Sequence, residues 1–434
     1  MEARESKTSR HRPLDIPIEV EEPSATEPDH LADSSRRRVL KCARRGLFSK
    51  AARALSEVHH DLPDDLPGKL LALHPRQPPP AFPDCPPFLG DDFTPKEVAS
   101  CLATFPRGSA AGVSGLTADL LQGPDGPERS RLLQELARFC SDFAWSRFPG
   151  PIATFLAGAR LIALGKPGGG VRPIAVGETL RRLVGKMLIR RYQQPVVDEV
   201  LLPLQVGVGL PGGAEQVIHK VRHWLLYAPP GEGLLQLDFS NAFNCFDRGT
   251  LLQAVAISCP AFLPYATACY GQPAALYHSS GVLSSEAGVH QGDPLGPLFF
   301  ALVAQPLAAF CSQAGISWSH WYLDDGYLVG PLSALHSLLP LLRDKAALVG
   351  LRLNVAKCQL LSPGPVPEEI LPDVPRTPAG GALRVLGAPI GALAASVDWV
   401  MSNTYLPWKR ALDRLSALGE AHLSTLILRH CLTG

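Results

Sequence analysis

The stretch WYLDDGYLVG, residues 321–330, decides how the rest of the chain is read. Apolar and aromatic residues flank two adjacent carboxylates, Asp324 and Asp325, so the segment predicts a strand, a tight acidic turn and a returning strand. Two like charges then share the tip of a hairpin. Carboxylates a few ångströms apart repel, and both stay ionised at neutral pH only with a cation beside them. The pair therefore asks for a metal ion. Asp and Gly are also common turn residues, so an ordinary polar turn is an equal reading of these residues taken alone.

The segments on either side decide between the two readings. LLQLDFSNAFNCFDRGTLLQAV, from Leu234, predicts an apolar strand ending at Asp238, a turn and a helix. A charge at the edge of a buried strand is costly unless it is paired or bound to metal. A hairpin is expected over residues 275–290. HQGDPLGPLFFALVAQPLAAF then turns sharply at Gly292, Asp293 and Pro294 into a long apolar helix, with Gln291 exposed at the corner. Beyond the acidic hairpin, Leu332, Leu335, Leu339 and Leu342 suit an amphipathic helix, and LRLNVAKCQLL returns as a strand carrying Lys357. The order strand, helices, two strands, helix, strand is the split βαβ pattern of a ferredoxin-like lobe. That order places the end of the Asp238 strand beside the 324/325 hairpin.

Upstream, ARLIALGKPGGGVRPIAV (159–176) alternates as two strands around KPGGG, with Lys166 before the tip and Arg172 after it. The pair is either a charged hairpin end or a clamp on a triphosphate. In ETLRRLVGKMLIRRY, from Glu178, Leu180, Leu183, Val184, Met187 and Leu188 share one helical face while Arg182, Lys186 and Arg190 follow at i, i+4 on another. Such a stripe either tracks a phosphate backbone or is a solvated face. Gly212 and Gly213, before a helix over 214–227, suit an anion or a turn equally. DDFTPKEVASCLATF, from Asp91, has Thr94 as a cap, Pro95 at the first helical position and Val98, Leu102 and Phe105 on one face; a further helix is expected over 128–143. Residues 63–87 are dense in proline and read as an extended linker or strap. SSRRRVLKCARR (34–45) reads as a solvated basic helix start ahead of a nucleic-acid or nuclear-import patch, a short helix follows over 47–58, and residues 1–35 read as a flexible tail.

With 434 residues and 46% hydrophobic content the chain is long enough for two or three packed lobes. A formal net charge of +1 means that nucleic-acid binding must rest on local basic patches. Ten cysteines lie singly, with no CxxC pair and no Cys/His cluster at zinc spacing, and read as reduced thiols. The polar N-terminus MEARESKTSRHRP reads against a signal peptide, and no apolar run reaches a bilayer's span. An intracellular protein of nucleus or cytoplasm, without a membrane partner, is expected.

Acids converging on a sheet edge suit a two-metal site for phosphoryl transfer, and Mg²⁺ shares its hard oxygen ligands with substrate phosphates. Lys166, Arg172 and Lys357 supply cations around a triphosphate. RLIALGKPGGGVRPI with the Arg-rich helix, LDFSNAF, HQGDPLGPLFFAL, YLDD, LRLNVAKC and LGAPIG occur in that order over about residues 95–395. This combination resembles a reverse transcriptase of the non-LTR retrotransposon type, with QGDPLGP and YLDD together the most specific part.

The resemblance implies an α+β right-hand polymerase with fingers, a ferredoxin-like palm of antiparallel sheet plus helices, and a partial helical thumb. The corresponding expected divisions are a tail, basic helix and Pro-rich linker over 1–90, fingers over 91–233, palm over 234–361, and a primer-grip hairpin with partial thumb over 362–434. By the resemblance, Asp238, Asp324 and Asp325 would hold two Mg²⁺ ions, with Mn²⁺ as a substitute and Asp325 the less direct ligand. Phe243 would be the aromatic gate against the ribose 2′-hydroxyl, favouring dNTPs over NTPs. Lys166 and Arg172 would contact the triphosphate, Gln291 would lie near nucleotide and template, and Lys357 would protonate pyrophosphate. LGAPIG would be the primer grip. The implied partners are an RNA template, a DNA or RNA primer and dNTPs. Asn244 stands where many relatives carry Asp, and Gly296 where many carry Ser. No zinc knuckle or endonuclease segment is recognised, and the stretch after Leu393 is short for a full thumb, which points to a fragment or a degenerate copy. An RNA-dependent RNA polymerase and an inactive or domesticated RNA-binding relative are the alternatives.

Overall fold

The computed structural model describes residues 33–56, 61–84, 88, 90–123 and 126–432. The tail expected over residues 1–35 lies outside them except for its last three positions, which open a helix. Among the described residues the strands are, in chain order, β1 (Ala159–Lys166), β2 (Gly170–Gly177), β3 (Glu232–Leu237), β4 (Ala274–His278), β5 (Gly281–Ser285), β6 (Trp318–Tyr322), β7 (Asp325–Pro331), β8 (Gln359–Leu361), β9 (Ala382–Val385) and β10 (Ala388–Gly391). Two compact units divide the chain, one from the described parts of Met1–Glu57 and Tyr405–Gly434, the other Val58–Thr404.

In the larger unit, the expected ferredoxin-like sheet forms with the order β6-β7-β3-β8, antiparallel throughout. The acidic hairpin is its β6–β7 pair, closed at Tyr322 opposite Asp325. β7 pairs β3 on its other side, with Leu237 opposite Gly326, so the next residue of the β3 chain, Asp238, arrives beside the hairpin tip. Leu234, Leu235, Leu328 and Val329 are buried in the sheet. The helices Gly296–Ser312 and Leu332–Leu348 pack on it, and Leu335, Leu339 and Leu342 supply the predicted apolar stripe. Removing such stripes from water is the main force that holds sheet and helices together.

Lys357 does not sit on a strand. LRLNVAKCQLL makes a single bridge at Leu353 opposite Phe239, breaks into a 3₁₀ turn over Val355–Lys357, and pairs again only from Gln359. The ladder ends at Asn354: its amide makes the last bridge bond to the Asp238 carbonyl at 2.8 Å, while its own carbonyl turns the chain by accepting from the Lys357 and Cys358 amides.

A second sheet, ordered β2-β1-β4-β5, contains the basic hairpin, with Lys166 opposite Gly170 and Leu164 opposite Arg172. The β4–β5 hairpin falls in the palm stretch of the sequence, yet β4 pairs parallel with β1, Ala159 opposite Leu276. The helix Thr179–Val196 buries Leu183, Val184, Met187 and Leu188 as predicted, while Leu180, expected on the same face, is only half-buried. The helix Pro95–Leu102 starts at a capping box in which Thr94 and Glu97 satisfy each other's backbone N–H groups. β9 and β10 form the small hairpin expected over LGAPIG.

The smaller unit joins the two ends of the chain. The helices Asp33–Arg44 and Phe48–Ser56 share a core with Leu406–Ser416 and Ala421–Ile427, built on Val39, Ala51, Leu55, Leu415, Leu418 and Ile427. Part of the basic cluster is consumed there, since Arg36 donates twice to the Leu418 carbonyl (3.2 and 3.0 Å) and Arg44 pairs with Glu420 at 3.2 Å. Among the described residues no helix is long and apolar enough to cross a membrane.

Candidate active site

Every residue singled out in the sequence as catalytic or nucleotide-binding lines one cleft of about 1410 Å³: Lys166, Arg172, Asp238, Phe243, Gln291, Asp324, Asp325 and Lys357. They come from separate elements. Asp238 follows β3, Asp324 and Asp325 occupy the β6–β7 turn, Lys166 and Arg172 flank the β1–β2 tip, and Phe243 lies in the short helix Ala242–Cys245. Gln291 is half-buried, not exposed, because the neighbouring ribbon covers it: its carbonyl accepts from the Ala175 amide at 3.0 Å. The basic stripe Arg182, Lys186 and Arg190 runs along the same cleft.

The acidic tip is braced by a residue that sequence reasoning did not find. Gln205, fully buried, accepts from the Leu323 amide at 2.7 Å and donates to the Leu323 carbonyl at 3.2 Å. Leu323 takes a left-handed φ of 57° to make the turn. The chain around Gln205 closes on the hairpin through Val206 to Trp321 and Trp321 to Leu204. A Cβ on Gly207 would meet the Leu323 amide at 2.7 Å, so this glycine of LQVGVGL serves close approach to the tip, whereas Gly209 packs against Val197 and Gln193. Gly212 and Gly213 open the helix Gly213–Tyr227 and do not line the cleft.

The electrostatics are those of acids held together without enough compensation. Burial pushes the Asp238 carboxyl up from its ordinary value, against the pull of Lys357, Asn354 and Lys166. Burial and then the neighbouring Asp238 charge raise Asp324, against its own backbone N–H, Arg172 and Lys166. Asp325 is pushed up to about 6 by burial, then by Asp324 and Asp238, with Arg384 opposing. Burial, Arg172 and Lys357 lower the Lys166 ammonium. A divalent cation relieves this repulsion, and the donors are the hard oxygens that such a cation takes. Among the described residues no group of three or more His, Cys, Asp or Glu side chains is placed to hold a metal ion by itself.

The cations of the stripe are steadied by neutral acceptors. Lys186 donates to Thr104 Oγ1 at 3.3 Å, Arg190 to Ser100 Oγ at 2.9 Å, and Arg182 to the Ala110 carbonyl and to Thr179 Oγ1. Phe243 stacks on Phe300 with ring centroids 4.7 Å apart, which fixes its ring at the cleft wall. Asn244, at the departure from the family pattern, is buried and donates to Asn241 Oδ1 at 2.8 Å. On the other side of Asp325 a second cavity of about 450 Å³ is lined by Tyr322, Tyr327, Arg384, Leu386 and Gly387, so the LGAPIG hairpin reaches the same carboxylate.

Behind the corner that carries Gln291, Asp293 pairs with Arg181 at 2.6 Å. Tyr270 donates to Asp293 at 2.6 Å, and the Leu295 amide does so at 2.9 Å. Arg181 also donates to the Ala157 carbonyl at 2.5 Å. Neither Arg181 nor Tyr270 was legible as a partner. The signal available was a charge, Asp293, at the head of an otherwise apolar helix.

The reverse transcriptase (RNA-dependent DNA polymerase) family model matches residues 164–397, more than half of the chain. Among solved structures, the chain is similar to telomerase from Candida albicans in complex with a TWJ fragment of telomeric RNA. That likeness has 12% identity and a TM-score of 0.39, over 69% of this chain and 60% of that one. It is also similar to apo telomerase from Candida tropicalis truncated from its C-terminal domain, at 14% identity and a TM-score of 0.37, over 55% of this chain and 54% of that one. The chain thus spans 60% or less of the telomerase chains it matches.

Proposed function

For a chain that belongs to the reverse transcriptase (RNA-dependent DNA polymerase) family, with that family's α+β right-hand polymerase fold, we propose RNA-directed DNA synthesis from dNTPs on a primed RNA template. The observation that carries the reading is the meeting, in one cleft, of the acidic hairpin with Asp238, the Lys166/Arg172 ribbon and the Arg182/Lys186/Arg190 stripe. Acids alone would repel a nucleotide. With cations on the facing walls, they sit where a polyphosphate is drawn in and a divalent ion is shared.

In this reading Asp238, Asp324 and Asp325 would hold two Mg²⁺ ions, which when bound would supply Lewis-acid activation of the primer 3′-hydroxyl and charge neutralisation at the phosphates. The hydroxyl proton leaves to solvent as its oxygen bonds to the α-phosphorus and the bond to pyrophosphate breaks, while pyrophosphate takes a proton from Lys357 Nζ, which solvent then restores. Lys166 and Arg172 orient the β- and γ-phosphates, and Gln291 orients the nucleotide against the template. Phe243 excludes a 2′-hydroxyl. The duplex follows the basic stripe, and the primer end lies against the β9–β10 hairpin, in the cavity that shares Asp325. QGDPLGP together with YLDD supports a retroelement of the non-LTR type as the source of this polymerase.

Primer extension on poly(rA)/oligo(dT) with dTTP and Mg²⁺ tests the reading. A DNA product that disappears on chelation supports it. Preferential use of UTP on the same template points to an RNA polymerase, and retention of the RNA without extension points to an RNA-binding relative.

A further inference from the structure

We propose that residues 66–77 form a strap that locks the fingers ribbon and the gate loop into one nucleotide pocket, with Lys69, Leu73 and Gln77 as positioning residues for nucleotide selection. The selection part rests on the polymerase reading; the locking part does not.

The strap lies outside the stretch that matches the family, residues 164–397. Its helix Leu66–Ala72 is glued to the back of the basic ribbon by Leu70, which is fully buried among Ala159, Leu161, Val171, Ala175 and Leu276. The last carbonyls of a helix have no partner within it. Here the Leu70 carbonyl meets His74 Nδ1 at 2.8 Å, and the Leu73 carbonyl, one position past the helix, accepts from Asn241 Nδ2 at 2.7 Å. In the other direction Lys69 Nζ donates to the Gly169 carbonyl at 2.8 Å, at the tip between Lys166 and Arg172.

Further along, Gln77 Nε2 donates to the Cys245 carbonyl at 3.1 Å, and its backbone amide donates to Glu286 at 3.1 Å. Asn241 and Cys245 stand two residues before and two after Phe243. The strap therefore grips both ends of the turn that presents the gate ring. Inside the turn Asn241, at a left-handed φ of 52°, is tied to Asn244. Leu73 itself lines the cleft beside Asn241 and Phe243. The following prolines, Pro78 to Pro80, favour a stiff extended chain that costs little entropy to hold in place. They lead to Phe82, whose ring leaves no room for a Cβ on Gly271 (2.9 Å). One segment thus ties the ribbon that takes the triphosphate to the loop that screens the sugar. Displacement of the gate ring by a fraction of an ångström relaxes exclusion of a 2′-hydroxyl before it slows DNA synthesis.

The test uses the full chain with Lys69→Met and Gln77→Leu together, which leaves Leu70 and the cleft side chains in place. Asn241→Gly, which removes the side chain but keeps the left-handed backbone unstrained, is a second variant. Hydrogen exchange is read over 167–170 and 241–246, with 298–308 in the buried helix as the internal reference. In parallel, kcat/KM for dTTP and for UTP is measured on poly(rA)/oligo(dT). Both variants are expected to exchange about fivefold faster over 241–246, and Lys69→Met/Gln77→Leu also over 167–170, with the reference unchanged; fivefold is the size of a lost ordinary hydrogen bond. The dTTP to UTP preference is expected to fall by a similar factor of about five, through a lower KM for UTP. Unchanged exchange overturns the locking. Equal acceleration over 298–308 reduces the strap to a general stability element and also overturns the proposal. Faster exchange with intact discrimination overturns the selection role. If the wild type extends no primer, the polymerase reading fails, and the exchange result alone decides whether the strap locks.

Discussion

Two charged assemblies meet at the QGDPLGP corner and are built in opposite ways. Behind the cleft, Arg181 and Asp293 are each 1% exposed, paired at 2.6 Å, and Asp293 is further bonded by Tyr270 and the Leu295 amide. His290 beside them is held neutral by burial and by the nearby Arg181 and Arg248 charges. In the cleft, Asp238, Asp324 and Asp325 crowd one another, and burial raises all three. The first assembly is closed: its charges answer each other inside the protein. The second is open: Lys166, Arg172, Lys357 and Arg384 offset its repulsion only in part, and burial still leaves all three carboxyls raised. A buried pair is a weak argument for function, whereas like charges kept together against their own repulsion are a strong one. QGDPLGP serves both, since Gln291 faces the cleft and Asp293 the pair.

The sharpest way to break this contrast is Asp324→Asn. Primer extension is expected to fall by on the order of 10³-fold or more, with no loss of thermal stability, because removing one of three repelling charges relieves strain. A lowered melting temperature would put Asp324 with the structural pair. Asp293→Asn is expected to do the reverse. With Arg181 left buried and uncompensated, urea unfolding should lose about 3–5 kcal/mol. A loss below about 1 kcal/mol would make the buried pair no more than a surface bridge.

A smaller effect separates shape from charge within the open site. Phe243→Ala should lower dTTP over UTP discrimination by about tenfold or more, read in competition assays, while Asp324→Asn should leave the discrimination of any residual activity unchanged. If Phe243→Ala discriminates as well as wild type, the gate is not this ring.

The smallest effect is in pH. Asp325 titrates near 6 against an ordinary value of 3.8. A raised folded value means that the native state holds its proton more tightly than the unfolded chain, so this group costs stability as pH rises from 3.8 to about 6. Without divalent ions, the stability advantage of Asp325→Asn over wild type should therefore grow across that window and level off above it. An advantage that shrinks with rising pH would reverse the assignment of burial and like charge as the cause.

Much of this was legible in one dimension, for identifiable reasons. The β6–β7 hairpin, the β1–β2 ribbon and the helix after Glu178 announce themselves because pleat and helix periods place apolar residues at fixed intervals. The Thr94 cap is equally local. Lys357 was placed on a strand because LRLNVAKCQLL alternates well enough, but the Asn354 carbonyl is taken by the Lys357 and Cys358 amides, which fold the segment into a 3₁₀ turn. The β4–β5 hairpin was readable as a hairpin and unreadable as a partner of β1. Gln205 gave no warning at all: a glutamine among glycines looks like a loop until it is found bonded twice to Leu323.

What the amino-acid order determined by itself was the list of parts: an acidic turn, an acid at a strand end, a basic ribbon, a basic helical stripe and an aromatic after Asp238. Period, turn chemistry and charge are properties of neighbours along the chain, so they survive without coordinates. What only the tertiary structure decided was which charges answer one another. Arg181 finds Asp293 across 112 positions, and the proline-rich stretch near the N-terminus turns out to hold both the ribbon tip and the gate loop. Such pairings depend on burial and on contacts between distant segments, and a carboxylate in the sequence carries no mark of whether its partner will be an arginine or a bound ion.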